Sequence, residues 1–278
     1  MNKRLLPLAG ALMLLLGACS GAATASPTAS SVASPTVSAS PAPASLTIYA
    51  AASLKGALDA AKASYEAAHP GTTLVVSTDS SSALETKIEQ GAPADVFLSA
   101  DTANPQKLVA AGLAIGTPVD FAGNVLTIIV PTANPAGITS PQDLAKSGVK
   151  VIAAGDEVPI TKYATQLVAN LAKQPGYPAD FAAAYAANIA SKEDNVKAVV
   201  AKVELGEGDA GIVYVTDVKA STKVATIDLP DSANVPATYA GVVVEAAKDP
   251  AAAKAFLDWL AGPDGGAILS RFGFLPPP

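Results

Sequence analysis

Short apolar runs of β type alternate with longer segments of helical period along most of this 278-residue chain, and that alternation most narrows what it can fold into. The strand-like runs are Leu46–Ala51, Thr73–Ser77, Asp95–Ser99, Val125–Val130, Val149–Ala153, Gly211–Val215, Val224–Ile227 and Gly241–Val244. Between them, helical patterns cover Leu54–Ala67, Ala83–Gln90, Asn104–Ala111, Pro159–Lys173, Ala179–Ala190, Val196–Leu205 and Pro250–Leu260. Alternation of this kind predicts an α/β fold with mainly parallel sheets flanked by helices. Several of the strands are apolar at nearly every position, as expected where both faces of a sheet are covered.

The first residues belong to a different kind of segment. Lys3 and Arg4 precede an apolar run from Leu5 to Leu16, and Leu16-Gly17-Ala18-Cys19 follows. A charged start, a short apolar middle and a small-residue exit describe a secretory leader over residues 1–18. The run is shorter than the roughly 20 apolar residues a membrane span needs. Cys19 is the chain's one cysteine and stands where cleavage would fall, so the segment resembles a bacterial lipobox with Cys19 as the lipidated residue. Residues 20–44 are almost entirely Ala, Ser, Pro and Thr without charge, a composition expected to form a disordered tether. As a flexible coil it would span about 25–30 Å. The expected organisation is a leader (1–18), an anchor and tether (19–45), and a body from Leu46 onward.

Without Lys3 and Arg4, the chain carries 16 basic against 24 acidic residues, a net charge of −8. That balance argues against a nucleic-acid partner. It also means that an anion could be held only by local groups. Four loops supply such groups, because each opens onto a helix start. Ser53 follows the first strand. Ser82 with Glu85 has the spacing of a capping box, which would leave Ser81 just outside the helix. Pro159 suits a first helical position. Glu193-Asp194-Asn195 precede the pattern that begins at Val196. A helix N-terminus presents unpaired N–H groups and a partial positive charge, so it can hold an anion without a charged side chain. Most capped helix starts bind nothing, however, and spacing alone leaves both readings open.

Ala50-Ala51-Ala52-Ser53-Leu54, Ser80-Ser81-Ser82, Gly91-Ala92-Pro93-Ala94-Asp95-Val96-Phe97-Leu98-Ser99-Ala100-Asp101 and Gly211-Ile212-Val213-Tyr214 occur in that order, followed by Gly262-Pro263 and Arg271-Phe272-Gly273-Phe274. In these stretches the chain resembles the periplasmic molybdate-binding proteins of ABC transporters, from Leu46 to Phe274. The resemblance implies a two-lobed periplasmic-binding-protein fold of type II, with molybdate or tungstate in the interlobe cleft. It implies ligand contacts from the Ser53 and Ser81 hydroxyls, the Ile160 and Val196 backbone amides and the Tyr214 hydroxyl. The partners implied are a membrane permease and its ATPase, with a lipid anchor as the only membrane contact. The chain is expected to be an extracytoplasmic monomer without cofactor. The expected lobes are 46–123 with 245–278, and 124–244, closing on the anion about the two crossings. The chain departs from the family pattern at Ile160-Thr161-Lys162, where small residues are usual, and at Asn195, which reads as an insertion. Backbone donors survive such changes, but their register stays open by one residue.

Other residues have plainer readings. Asp95 and Asp101 are expected to anchor turns, His69 to be exposed, Phe256 and Trp259 to pack on a helix face, and Lys55 and Lys162 to be solvated. Tyr214, taken on its apolar strand alone, reads as core. No cluster of His, Cys, Asp and Glu suggests a metal ion held by the protein. Ser147 and Lys150 match the Ser-x-x-Lys pattern of a serine hydrolase, but the pattern runs into a strand and no Lys-Thr-Gly follows, so an enzyme is not expected. Among ligands, sulfate and phosphate are the alternatives. Phosphate must donate a hydrogen bond that a cage of donors cannot accept.

Overall fold

The structure is a computed structural model and describes residues 44–219 and 221–278. The leader, Cys19 and nearly all of the expected tether lie outside the described residues. The order of elements begins with β1 (Ala44–Ala51), a 3-10 turn (Ala52–Leu54), α1 (Lys55–Ala68), β2 (Thr72–Asp79), α2 (Ser81–Glu89), β3 (Val96–Ser99), α3 (Ala103–Ala110) and β4 (Ala114–Asn124). It continues with β5 (Leu126–Pro131), a second 3-10 turn (Pro141–Ala145), β6 (Val151–Ala154), α4 (Pro159–Leu171), α5 (Phe181–Ala187), β7 (Ile189–Glu193), α6 (Val196–Glu204), β8 (Ala210–Tyr214), α7 (Val215–Val218) and β9 (Val224–Ile227). The last elements are β10 (Ala237–Val244), α8 (Pro250–Ala261) and α9 (Pro263–Arg271).

The strands form two five-stranded sheets, β2-β1-β3-β10-β4 and β7-β6-β8-β5-β9, each the centre of one lobe of an α/β fold. The expectation of mainly parallel sheets is corrected, because both sheets are mixed. β1 runs parallel to β2 and β3, and β6 parallel to β7 and β8. The strands next to the crossings, β4, β5 and β10, pair antiparallel with their neighbours. Carrying the chain out of one sheet and back imposes that reversal. β10 also moves a boundary. The expected lobes put its residues in the second, yet it adds to the first sheet, so the return crossing comes before Ala237 instead of at Val244. The two crossings are tied together by Asn234, whose Oδ1 accepts the Leu126 N–H and whose Nδ2 donates to the Leu126 carbonyl, both at 3.0 Å.

Helices cover both faces of the first sheet. On one side, Leu84 and Ile88 of α2 and Leu108 of α3 pack with Phe97 and Val242. On the other, Leu58, Ala61 and Tyr65 of α1 join Phe256 and Leu260 of α8. Each large apolar side chain buried this way contributes about 1.5–3 kcal/mol. His69 corrects an expectation: it is half-buried, with its ring stacked on Tyr65 at 3.9 Å and its Nδ1 2.9 Å from the Tyr65 carbonyl.

β4, β7 and α9 are among the elements that escape the periodicity of the sequence. β4 carries Gly116 and Pro118, which suit only an edge strand, and it meets β10 through register shifts. β7 is a polar edge strand, where the sequence pattern extends a helix to Ala190. The helix stops at Ala187 because Asn188 turns away, its Nδ2 donating to the Leu144 and Lys146 carbonyls at 2.8 Å. α9 contains two glycines, and Gly265 is there for contact, since a Cβ on it would lie 2.4 Å from the Leu260 backbone of α8.

Candidate functional site

All five residues expected to hold ligand line one small cavity between the lobes. The first lobe contributes Ser53, in the 3-10 turn after β1, and Ser81, at the start of α2. The second contributes Ile160 at the start of α4, Val196 at the start of α6 and Tyr214 at the end of β8. The cavity is small, about 10 Å³. None of the lining residues is charged.

Local bonding decides which polar groups remain free to face this space. In α2 the cap is Ser80, whose Oγ accepts the Ala83 N–H at 3.3 Å. The expected Ser82–Glu85 box therefore does not form, and Ser81 is the first helical residue instead of lying outside. Ser81 Oγ accepts the Ala100 N–H at 3.0 Å. An amide can only donate, so the Ser81 hydroxyl proton is directed elsewhere. Ser53 caps no helix, although it stands just before α1, and its Oγ pairs with Tyr239 Oη at 2.9 Å. In α4, Pro159 has no N–H and the Thr161 amide bonds the Val158 carbonyl at 3.0 Å, which leaves Ile160 as the donor of that first turn. In α6, Asn195 is the cap. Its Oδ1 accepts from the amides of Lys197 at 3.1 Å and Ala198 at 3.2 Å, leaving the Val196 N–H for the cavity. The residue that reads as an insertion is thus what presents Val196. Its Nδ2 also reaches Asp79 Oδ1 on the first lobe at 3.4 Å.

Tyr214 is 1% exposed, and its hydroxyl has no partner among the described residues. Burial pushes its pKa well above the ordinary tyrosine value, with Tyr239, Tyr163, Asp217 and Asp101 adding to the shift, so it stays a donor. Leaving such a group unpaired costs about 1–3 kcal/mol. Ser53, Ser81 and Tyr214 hydroxyls and the Ile160 and Val196 amides therefore make a neutral enclosure that can satisfy an acceptor with no protons of its own.

Sequence reasoning misses the support behind this enclosure. Asp217, in α7, is fully buried; its Oδ2 accepts the Tyr214 N–H at 3.3 Å and its Oδ1 pairs with Lys197 Nζ at 2.9 Å. Burial raises the Asp217 pKa against the pull of Lys197. The pair joins the start of α6 to the end of β8. A signal exists in the first-turn position of Asp217, three residues after Tyr214, but its partner cannot be read locally. Asp101 anchors a turn as expected, accepting from the Asn104 amide at 3.0 Å, whereas Asp95 ties distant segments instead, accepting from the amides of Thr47 on β1 at 2.6 Å and Lys248 at 2.8 Å. Lys55 and Lys162 are exposed beside Asp59 and Glu157.

A roomier cavity, about 240 Å³, lies behind α4 and shares only Ile160 with the donor enclosure. Its lining is mainly Ala, Ile and Val, and the hydroxyls of Thr161 and Thr165 are bonded to the Ala154 and Thr161 carbonyls. It lacks convergent donors. Ser147 stands exposed in the turn before β6, not at a helix start.

Residues 46–275 match the family of bacterial extracellular solute-binding proteins. The chain belongs to that family. Among similar proteins, the molybdate-binding protein ModA of Mycobacterium tuberculosis is 35% identical over 234 residues, covering 84% of this chain and 85% of that one. The periplasmic molybdate-binding protein of Azotobacter vinelandii shares the fold, with a TM-score of 0.71 at 24% identity, over 84% of this chain and all of the other. The sulfate-binding protein SubI of M. tuberculosis shares it too, with a TM-score of 0.74 at 21% identity, over 84% and 87% of the two chains. The fold is therefore common to binders of different oxyanions, and the family to which the chain belongs is one of solute-binding proteins.

Proposed function

We propose that this protein is the extracytoplasmic binding component of an ABC importer, taking up molybdate, and tungstate equally well in shape and charge, between its lobes. The observation that carries the reading is the buried, unpartnered Tyr214 hydroxyl, lining a cavity in which Ser81 also keeps a hydroxyl proton to donate. A fully deprotonated tetrahedral dianion supplies acceptors in several directions and needs none in return. The 35% identity to a molybdate-binding relative supports the choice of metal oxyanion. Sulfate is smaller and would leave donors of a fixed enclosure unmatched.

The anion would touch groups from both lobes, so it would favour the closed arrangement, in which the protein docks on its permease and ATPase. Cys19, as a lipidated residue followed by a tether, would keep the monomer near that permease. Isothermal calorimetry with molybdate, tungstate, sulfate and phosphate tests the reading. Tight binding of the first two with weak or no heat from the others is expected. Sulfate binding without molybdate binding would reassign the ligand, and no heat from any of them would remove the site.

A further inference from the structure

Two residues outside the cavity bear on which way the Ser53 hydroxyl points. Tyr239, on β10, is fully buried, and its Oη lies 2.9 Å from Ser53 Oγ. Distance alone permits either oxygen to donate. The direction is set one step further back, at Asn124, the buried last residue of β4 where the chain leaves the first lobe. Asn124 Oδ1 accepts the Val125 N–H at 3.0 Å. A backbone amide cannot accept, so this bond fixes the orientation of the side-chain amide and turns Nδ2 the opposite way. Nδ2 donates to Thr216 Oγ1 of the second lobe at 2.9 Å and to Tyr239 Oη at 3.4 Å.

The Tyr239 oxygen thus receives a hydrogen from Asn124, and its own proton is free to go to Ser53. Burial keeps that proton in place, holding the Tyr239 pKa well above the ordinary value, with Asp217 adding to the shift while the Ser53 and Asn124 bonds work against it. Ser53 Oγ, receiving from Tyr239, then turns its own hydrogen toward the cavity. We infer that Asn124 and Tyr239 are positioning residues that make Ser53 an obligate donor, through a one-way chain from the Asn124 amide to the Tyr239 hydroxyl to the Ser53 hydroxyl. The inference rests on the cavity being the oxyanion site and goes beyond it in naming what sets its polarity. Ser81 needs no such chain, because a backbone amide that can only donate already holds its oxygen directly. The chain would disfavour protonated oxyanions: hydrogen phosphate must donate, and Ser53, held by Tyr239, turns its hydrogen toward the cavity while only one lone pair is left.

Asn124→Asp is the sharpest probe, being almost isosteric while replacing the donor with an acceptor. Tyr239 would then donate to the introduced carboxylate, Ser53 would donate to Tyr239, and the cavity would lose one hydrogen. Calorimetry on the full chain is expected to show molybdate affinity falling about tenfold or more, close to the effect of Ser53→Ala. In a Ser53→Ala background, Asn124→Asp should cost only what its added negative charge costs through space, clearly less than in the Ser53 protein, since the residue through which the hydrogen-bond chain acts is gone. Tyr239→Phe frees the acceptor side of Ser53. Its expected mark is a narrowed molybdate-to-phosphate ratio, read by competition. Circular dichroism and thermal melting check folding, and if Asn124→Asp does not fold, the Tyr239→Phe and Ser53→Ala pair completes the cycle. Equal losses with and without Ser53, or an unchanged affinity and ratio, would overturn the inference. Failure of the unmodified protein to bind any of the oxyanions would instead overturn the site assignment on which it stands.

Discussion

The two lobes meet the cavity with different chemistry. The first presents side-chain hydroxyls, Ser53 and Ser81, whose direction is set by neighbours far away in sequence. The second presents mainly main-chain amides, Ile160 and Val196, whose availability is set within a single helical turn by Pro159 and Asn195. A hydroxyl can rotate and can accept as well as donate, so it needs a fixed partner to be a donor. An amide at a helix start needs only to be left over. The difference teaches that the second lobe should tolerate side-chain replacement at its two amide-donor positions, while the serine positions of the first should not.

Removing a second-lobe donor gives the largest expected effect. Val196→Pro deletes the N–H at a first helical position, where proline is accepted, and the preceding Asn195 already has extended backbone angles (φ −157°, ψ 171°). Molybdate affinity is expected to fall about 10–100-fold by calorimetry. Val196→Ala keeps the amide and should bind within about twofold of the parent, while the lost buried methyls cost about 1–2 kcal/mol in chemical denaturation. Equal affinity losses in the two variants would break the contrast between the lobes.

On the first lobe, Ser81→Ala and Ser53→Ala should each lower affinity about tenfold. Their stabilities should differ: Ser81→Ala leaves the Ala100 amide buried without its acceptor and should cost about 1–3 kcal/mol more than Ser53→Ala. Matching melting temperatures would mean that the Ser81–Ala100 bond does not fix the hydroxyl. Tyr214→Phe should weaken binding several-fold and yet leave the ligand-free protein as stable or slightly more so, because it removes a buried hydroxyl that had no partner. A loss of stability instead would show that the hydroxyl is satisfied. The smallest effect concerns pH. No lining residue titrates near neutrality, and burial holds Tyr214 protonated above its ordinary range. Molybdate affinity should therefore stay flat from about pH 6 to about pH 9, and a step in that window would implicate a charged group outside the lining.

How much of this is legible without the structure follows the same division. Groups placed by local rules are readable: Pro159 and the Asn195–Val196 junction fall where their composition puts them. The triple serine reads one residue off, because Ser80 and Ser82 are both acceptable caps and only the tertiary contact of Ser81 with Ala100 separates them. Tyr239 and Asn124 are invisible, since Ser53 meets Tyr239 across 186 positions of sequence and no periodicity reports a pairing of that range. Fold class is legible from alternation. β4 is not, because an edge strand can carry the glycine and proline that elsewhere mark a loop. β10 falls in the wrong lobe on sequence grounds, because its apolar run says that it is buried without saying in which sheet.

The uncharged lining has a kinetic consequence. Outside the leader the chain carries a net −8, so at long range it repels the dianion that we propose it holds, while the groups that grip the anion are dipoles of short reach. Added salt should screen the repulsion and leave the grip almost untouched. Capture would then quicken with ionic strength while release stays nearly constant, the reverse of a receptor that draws in its anion with lysines and arginines.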